Sequence, residues 1–258
     1  MRYQNLKKSL GQHFLINQGV CEKILALLDV RREDQVLEIG PGAGALSSLL
    51  LQKPCGPLLF VEKDGSWARR LDLQIKEAGV SHARVLEMDA LDFSWASLPG
   101  QWKLVGNLPY NVASPLIWDI ASAAPFSRAV FMVQLEVAER LSASPGSRLY
   151  GALSAWVQSF AQVKKNFKVS PGSFSPPPKV DSGVVSLYPR LERPEAPAKL
   201  AALLKICFQQ RRKQLGRIIK TSGLPRMEQG LEALGLDPAL RPEALSPADF
   251  AKLSLWMP

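Results

Sequence analysis

The stretch G-N-L-P-Y-N, Gly106 to Asn111, follows the apolar run Trp102-Lys103-Leu104-Val105, which reads as a strand. Its ending brings a side-chain amide (Asn107), a backbone carbonyl (Leu108) and an aromatic ring (Tyr110) to one place. Pro109 restricts Leu108 to extended backbone, so the carbonyl has a fixed aim. A second group lies upstream. E-I-G-P-G-A-G, Glu38 to Gly44, closes another short apolar run and opens a helical pattern. Glycines such as Gly40 and Gly42 let the chain turn tightly there and let a ligand approach the main chain. Alone, this loop serves a dinucleotide, S-adenosylmethionine (SAM) or nothing.

Two acids narrow the choice. Glu62 ends the next apolar run, about 20 residues past the glycines, where a carboxylate accepts both ribose hydroxyls. Asp89, in Met88-Asp89-Ala90, follows a third run, where it accepts a hydrogen bond from an adenine amino group. Either acid alone reads equally well as a helix cap or a loop charge; with the glycine loop, consecutive strand ends carry groups suited to a nucleoside. SAM is favoured over NAD because Ala45 stands where G-x-G-x-x-G needs its last glycine, and because N-L-P-Y has no role in hydride transfer.

The elements that must position these groups alternate. Strands are predicted at 35–39, 58–62, 83–87, from Trp102 to Gly106 and at 129–134, with helical patterns between them. The helical runs include V-C-E-K-I-L-A-L-L, G-A-G-A-L-S-S-L-L-L-Q-K, Asp64 to Ala78, a helix after Ser114-Pro115, and L-E-V-A-E-R-L. Such alternation implies a parallel, doubly wound α/β sheet of Rossmann-like type. A further helical run follows Tyr150. Two β-type runs, 161–169 and 183–189, then flank the proline-rich 170–182. Residues 190–199 read as a linker, and everything beyond, including R-R-K-Q-L-G-R-I-I-K, reads as helical. The expected division is 1–189 for the catalytic sheet domain and 190–258 for a small helical domain.

Composition sets the outer limits. The chain has 258 residues and is 47% apolar, enough for one large domain or a domain with a small companion. No apolar run reaches the roughly 18 residues of a membrane helix, and the basic start carries no apolar segment of a secretory signal. Cys21, Cys55 and Cys207 are widely spaced, which fits a reducing cytoplasm. With His13 and His82 the only histidines, no zinc site or Ser-His-Asp triad is expected. The net charge is +9. Between Glu195 and Glu228 there is no acid, while Lys199, Lys205, Arg211, Arg212, Lys213, Arg217, Lys220 and Arg226 form a single-sign field of the kind that attracts phosphate backbones, or a solvated helix face.

E-I-G-P-G-A-G, M-D-A-L-D-F, G-N-L-P-Y-N, F-S-P-P-P-K-V-D-S and F-Q-Q-R-R-K occur in the order found in the ribosomal RNA adenine dimethyltransferases. The chain resembles that family over essentially its whole length, most of all its bacterial small-subunit branch, and K-S-L-G-Q-H-F-L resembles the family's opening motif. G-N-L-P-Y-N and P-P-P-K-V-D-S are specific; the glycine motif is not. The resemblance implies SAM as cofactor, with contacts from His13, Leu15, Gly40, Glu62, Asp89 and Asn107; His13 stands where many relatives have asparagine. It implies dimethylation of N6 on two adjacent adenosines near the 3′ end of 16S rRNA, within the small ribosomal subunit or its precursor. A monomer in the cytoplasm, with no membrane partner, is expected.

Adenine N6 is a poor nucleophile because its lone pair is delocalised into the ring. Asn107 and Leu108, accepting its two N–H bonds, would rotate the amine and turn the lone pair towards the methyl group. Tyr110 is expected on one face of the base and Phe174 on the other, stacking being worth about 1–3 kcal/mol per base. Arg211, Arg212 and Lys213, with Arg217 and Lys220, are expected to seat the protein on folded RNA; phosphate contacts of this kind position and do not specify. The alternatives are methylation of large-subunit RNA or DNA adenine, and a non-catalytic RNA-binding assembly factor. DNA and protein-glutamine methyltransferases more often carry two prolines after the Asn or Asp, where this chain has Leu108.

Overall fold

The structure, a computed structural model, describes residues 13–258. The described strands of the main sheet are β2 (Gln35–Ile39), β3 (Leu58–Glu62), β4 (Ala83–Glu87), β5 (Trp102–Asn107), β6 (Phe126–Gln134), β7 (Ala161–Val169) and β9 (Ser182–Pro189). Phe14–Leu15 and Phe174–Ser175 (β1 and β8) form a separate antiparallel pair, with Leu15 opposite Phe174. The sheet order is β4-β3-β2-β5-β6-β9-β7. Strands β4 to β6 are mutually parallel, and β9 runs antiparallel to β6.

The strands form where the sequence places β-branched and long apolar residues together. Val36, Leu37, Phe60, Leu104, Val105, Val130 and Phe131 are fully buried, as expected of parallel strands covered on both faces. Helices α1 (Gln18–Leu28), α3 (Gly65–Glu77) and α4 (Ala113–Ala123) bury one stripe each: Ile24 and Leu28, Leu71 and Ile75, Ile117 and Ile120. Asn17 caps α1 by accepting from the Val20 N–H, and Asp64 caps α3 by accepting from the Ser66 N–H. Helix α2 is only Ser47–Leu50, shorter than the helical run expected from Gly42 onward. Gly42 and Gly44 hold φ of +52° and +86°, which keeps the chain in turns until Ser47.

Two compact units divide the chain. One holds the described residues up to Ala138 together with Lys164–Tyr188; the other holds Glu139–Val163 and Pro189–Pro258. The expected division at 189/190 has a counterpart at Tyr188/Pro189, but the helical unit also takes in Glu139–Val163. The reason is burial. After α5 (Leu135–Leu141), helix α6 (Ala152–Phe160) hides Ala155, Trp156, Val157 and Phe160. It packs with α7 (Pro197–Gln209) and α10 (Pro247–Ser254). The remaining helices of this unit are α8 (Leu215–Thr221) and α9 (Pro225–Ala233). Ser246 and Asp249 form a reciprocal cap at the start of α10, with Pro247 in its first turn.

One expected helix is interrupted. Residues 210–214, Q-R-R-K-Q, are a turn between α7 and α8. The Arg211 guanidinium donates to Glu243 at 2.9 Å and to the Arg148 carbonyl at 2.7 Å, which draws the chain out of the helical path.

Candidate active site

The order of the parallel strands reverses between β2 and β5, since β2 continues outward to β3 and β4 while β5 continues to β6. With right-handed crossovers, such a reversal leaves an open crevice beyond the carboxyl ends of the two central strands. A cavity lies there. Gly40 and Gly42 reach it from the end of β2, Glu62 and Lys63 from β3, Asp89 from β4, and Asn107 to Tyr110 from β5; His13 and Leu15 line it too.

The glycine loop is built for close approach. Gly40 has φ +64°, and a Cβ there would meet no atom within 4 Å, so its open side faces the space a ligand takes. Gly42 has φ +52° and is packed behind by Phe14, whose ring edge would lie 3.0 Å from a Cβ. Phe14 in turn meets the Trp67 ring edge-on, at 5.0 Å between centroids. Gly106, one residue before Asn107, admits no side chain: a Cβ would fall 2.6 Å from the Ile39 carbonyl oxygen of β2. The ends of β2 and β5 can therefore close to this distance only through a glycine.

Glu62 is 6% exposed, and both its oxygens are held by main-chain donors: the Gly42 N–H at 2.9 Å and the Asp64 N–H at 2.8 Å. Burial pushes its carboxyl up from the ordinary value, while those two bonds oppose the shift. A carboxylate oxygen has further lone pairs, so hydroxyl donors of a ribose fit it. Asp89 accepts from the Leu91 N–H and pairs with the Lys63 ammonium at 2.5 Å. Lys63 holds the Asp89 carboxyl below the ordinary carboxylate value.

Asn107 donates its Nδ2–H to the His13 carbonyl at 3.0 Å. That bond uses the donor end of the amide and leaves Oδ1, the acceptor end, for a ligand. The Leu108 N–H donates to the Met132 carbonyl at 3.0 Å, which fixes the Asn107–Leu108 peptide. The Tyr110 hydroxyl lies 2.7 Å from Ser182 Oγ. Its ring is half-buried beside the His13 ring, at 5.8 Å between centroids.

The structure thus brings together His13, Leu15, Gly40, Gly42, Glu62, Asp89, Asn107, Leu108, Pro109 and Tyr110. It does not bring Phe174. That ring is 3% exposed and belongs to the core, among Leu15, Ile24, Val130 and Val184. It stands directly opposite Leu15 in the β1–β8 pair and, unlike Leu15, is not among the lining residues, so the expected stacking on the base has no counterpart in this arrangement. The K-S-L-G-Q portion of the opening motif lies outside the described residues.

Three residues were not singled out from the sequence. Glu38 is 2% exposed, accepts from Ser47 Oγ at 2.6 Å, and has its carboxyl pushed up to about 8 by burial and by the nearby Glu62 charge. Its signal was the acid directly ahead of Ile39-Gly40. Ser182 closes the P-P-P-K-V-D-S motif. Lys63 carried no signal beyond its neighbour Glu62.

In the helical unit, Arg212, Lys213, Arg217 and Lys220 are exposed, while Leu215, Ile218 and Ile219 bury the other side of α8. Arg211 is engaged by Glu243 and by Arg148, so it braces its own turn.

The cavity fits SAM: a glycine cradle, a main-chain-braced carboxylate for ribose, an acid at the third strand end, and apolar walls from Ile39, Leu46 and Val61. Comparison with known proteins agrees. The family model described as ribosomal RNA adenine dimethylase matches residues 3–257. A "Ribosomal RNA small subunit methyltransferase A" from Lawsonia intracellularis is 49% identical, over 96% of this chain and 92% of the relative. A protein of the same name from Pseudomonas fluorescens is 42% identical, over 98% and 94%. Among solved structures, a dimethyladenosine transferase from Plasmodium falciparum matches with TM-score 0.81 and 31% identity, over 93% of this chain and 96% of that one. The 23S rRNA methyltransferase ErmE, at 22% identity and TM-score 0.72, shares the fold. With a braced SAM cradle beside Asn-Leu-Pro-Tyr, and with relatives this similar over nearly its full length, the chain belongs to the ribosomal RNA adenine dimethylase family, the SAM-dependent enzymes that dimethylate adenine in ribosomal RNA.

Proposed function

We propose that this chain dimethylates N6 of two adjacent adenosines near the 3′ end of 16S rRNA, in the small ribosomal subunit or its precursor, acting as a monomer in the cytoplasm. The observation that carries the chemical half is the Asn107 amide, whose Nδ2–H is taken by His13 so that Oδ1 is presented as an acceptor. The small-subunit half is supported by relatives of that printed name at up to 49% identity over nearly the whole chain. Among the described residues, no helix is long and apolar enough to cross a membrane.

SAM, when bound, supplies an electrophilic methyl group on its sulfonium. The chain's own residues do the rest. Glu62 holds ribose, Asp89 takes the amino group of the cofactor's adenine, and the Gly40–Gly42 loop admits the cofactor against the main chain. Asn107 Oδ1 and the Leu108 carbonyl accept the two N–H bonds of the target amine and turn its lone pair out of the ring plane. Tyr110 supports a base that has left its stack. The methylated nitrogen is acidic and releases its proton to solvent, so these groups need only accept hydrogen bonds. Arg212, Lys213, Arg217 and Lys220 contact phosphate.

The test is incubation with labelled SAM and unmethylated small-subunit particles, followed by mass spectrometry of the nucleosides. N6,N6-dimethyladenosine at adjacent positions is expected. Label in large-subunit RNA instead, with none in the small subunit, overturns the assignment.

A further inference from the structure

Two rings line the cavity side by side, and both are tied by their polar ends to one short segment. Tyr110 Oη lies 2.7 Å from Ser182 Oγ. His13 Nδ1 lies 2.9 Å from the Pro176 carbonyl oxygen. A carbonyl only accepts, so Nδ1 carries the proton. The ring planes are 31° apart. Residues 176–182 thus hold both members of the pair, although the segment itself does not line the cavity.

The two ends of the tyrosine bond differ in freedom. Ser182 is fully buried, and its backbone sits in register with Gln134 at the start of β9, so its hydroxyl is a fixed point. Tyr110 is half-buried in the loop between β5 and α4. Without the bond, its ring is free to settle among alternative side-chain rotamers. Burial raises its phenol above the ordinary value, so the hydroxyl keeps its proton and stays available to the serine.

We infer that Ser182 is a positioning residue for methyl transfer: its hydroxyl anchors the tip of the Tyr110 ring and so holds its side-chain rotamer, and Tyr110 with His13 forms a two-ring platform for the target base. This rests on the reading above, in which Tyr110 receives the adenine. The weight of the platform falls on the second transfer. The monomethylated amine offers one N–H instead of two, so the Asn107–Leu108 grip is halved and ring support matters more.

The experiment uses the full chain with unmethylated small-subunit particles and compares wild type, Ser182→Ala, Tyr110→Phe and the double variant. Each single change is expected to slow the second transfer about fivefold or more, within what base stacking contributes. The first transfer slows less, so N6-monomethyladenosine accumulates. KM for SAM does not change. The double variant loses no more than either single one, because both changes cut the same bond. If Ser182→Ala does not fold, Tyr110→Phe cuts that bond from its half-buried end and is read alone. A Tyr110→Phe protein with wild-type rates and product ratio overturns the inference, as does a double variant whose loss is the product of the two single losses. Wild-type protein that forms no dimethyladenosine on these particles overturns instead the functional reading beneath it.

Discussion

The cavity at the sheet end and the turn at Arg211–Lys213 are both read as meeting RNA, yet they are built in opposite ways. In the cavity nearly every polar group is already tied: Glu62 by two main-chain amides, Asn107 by His13, Tyr110 by Ser182. Each tie removes freedom and leaves one defined lone pair or face. Around α8, Arg212, Arg217 and Lys220 stand in solvent, and only Arg211 is engaged on both sides by its own unit. A reacting amine needs two acceptors held to fractions of an ångström. A phosphate backbone needs charge of the right sign, and tolerates mobile side chains.

Phe174→Ala tests which side of this comparison that ring belongs to, and carries the largest expected effect. A fully packed phenylalanine reduced to alanine costs about 3–5 kcal/mol of stability. Urea unfolding of the variant should show a loss in that range, with the two methyl transfers slowed to the same degree. A stable variant impaired only in the second transfer would return Phe174 to the cavity.

Asn107→Ala comes next. Removing one preorganised polar contact to a reacting group typically costs about 100–1000-fold in rate. Single-turnover transfer on small-subunit particles should fall by that factor while the thermal midpoint holds. A loss below tenfold would mean the Leu108 carbonyl alone orients the amine.

Much of this arrangement was legible in the residues. Strands β2 and β3 have the bounds expected from their runs, because a strand buried on both faces needs an unbroken apolar stretch and neighbouring polar residues mark where it stops; the edge strands β4 and β7 also keep their expected bounds, though both are largely open to solvent. The acids at successive strand ends were legible for the same reason: the alternation of elements places them all at one edge. That Phe174 packs in the core rather than among the lining residues is not legible, because its placement depends on pairing with Leu15 through strands of two residues each, too short to leave any periodicity. Ser182 was hidden by its ordinariness, as a serine at the end of a proline-rich run has no chemistry until Tyr110 is folded against it. The turn at 210–214 was read as helix because its residues are good helix formers; tertiary bonds from Arg211 outweigh that preference.

Reversing Arg212, Lys213 and Arg217 to glutamate probes the other half of the comparison. Losing about three phosphate contacts should lower affinity for small-subunit particles at least about tenfold, and should reduce the slope of log affinity against log salt by about 2. Binding measured at several salt concentrations gives both numbers. At saturating RNA the rate of methyl transfer should match wild type, because none of these residues touches the cavity. Unchanged affinity would show the cations to be a solvated helix face.

The smallest effect is expected where the two designs meet, at the Lys63–Asp89 pair. Its atoms lie 2.5 Å apart in a wall of the cavity, but the lysine is largely in solvent. Lys63 lowers the Asp89 carboxyl below its ordinary value, so the unfolded chain binds that proton more tightly than the folded one. The pair's stabilisation is therefore fully present above the ordinary carboxylate range and is lost as pH falls through the lowered, folded value. Thermal midpoints of wild type and Lys63→Met, followed from neutral pH into acid, should differ slightly at neutrality and converge at the acid end. Added salt should shrink the difference at neutrality, as it does for exposed ion pairs. Curves that run parallel through the acid range would mean that Asp89 is held by the Leu91 amide alone, and that even this exposed corner of the cavity is fixed from the main chain.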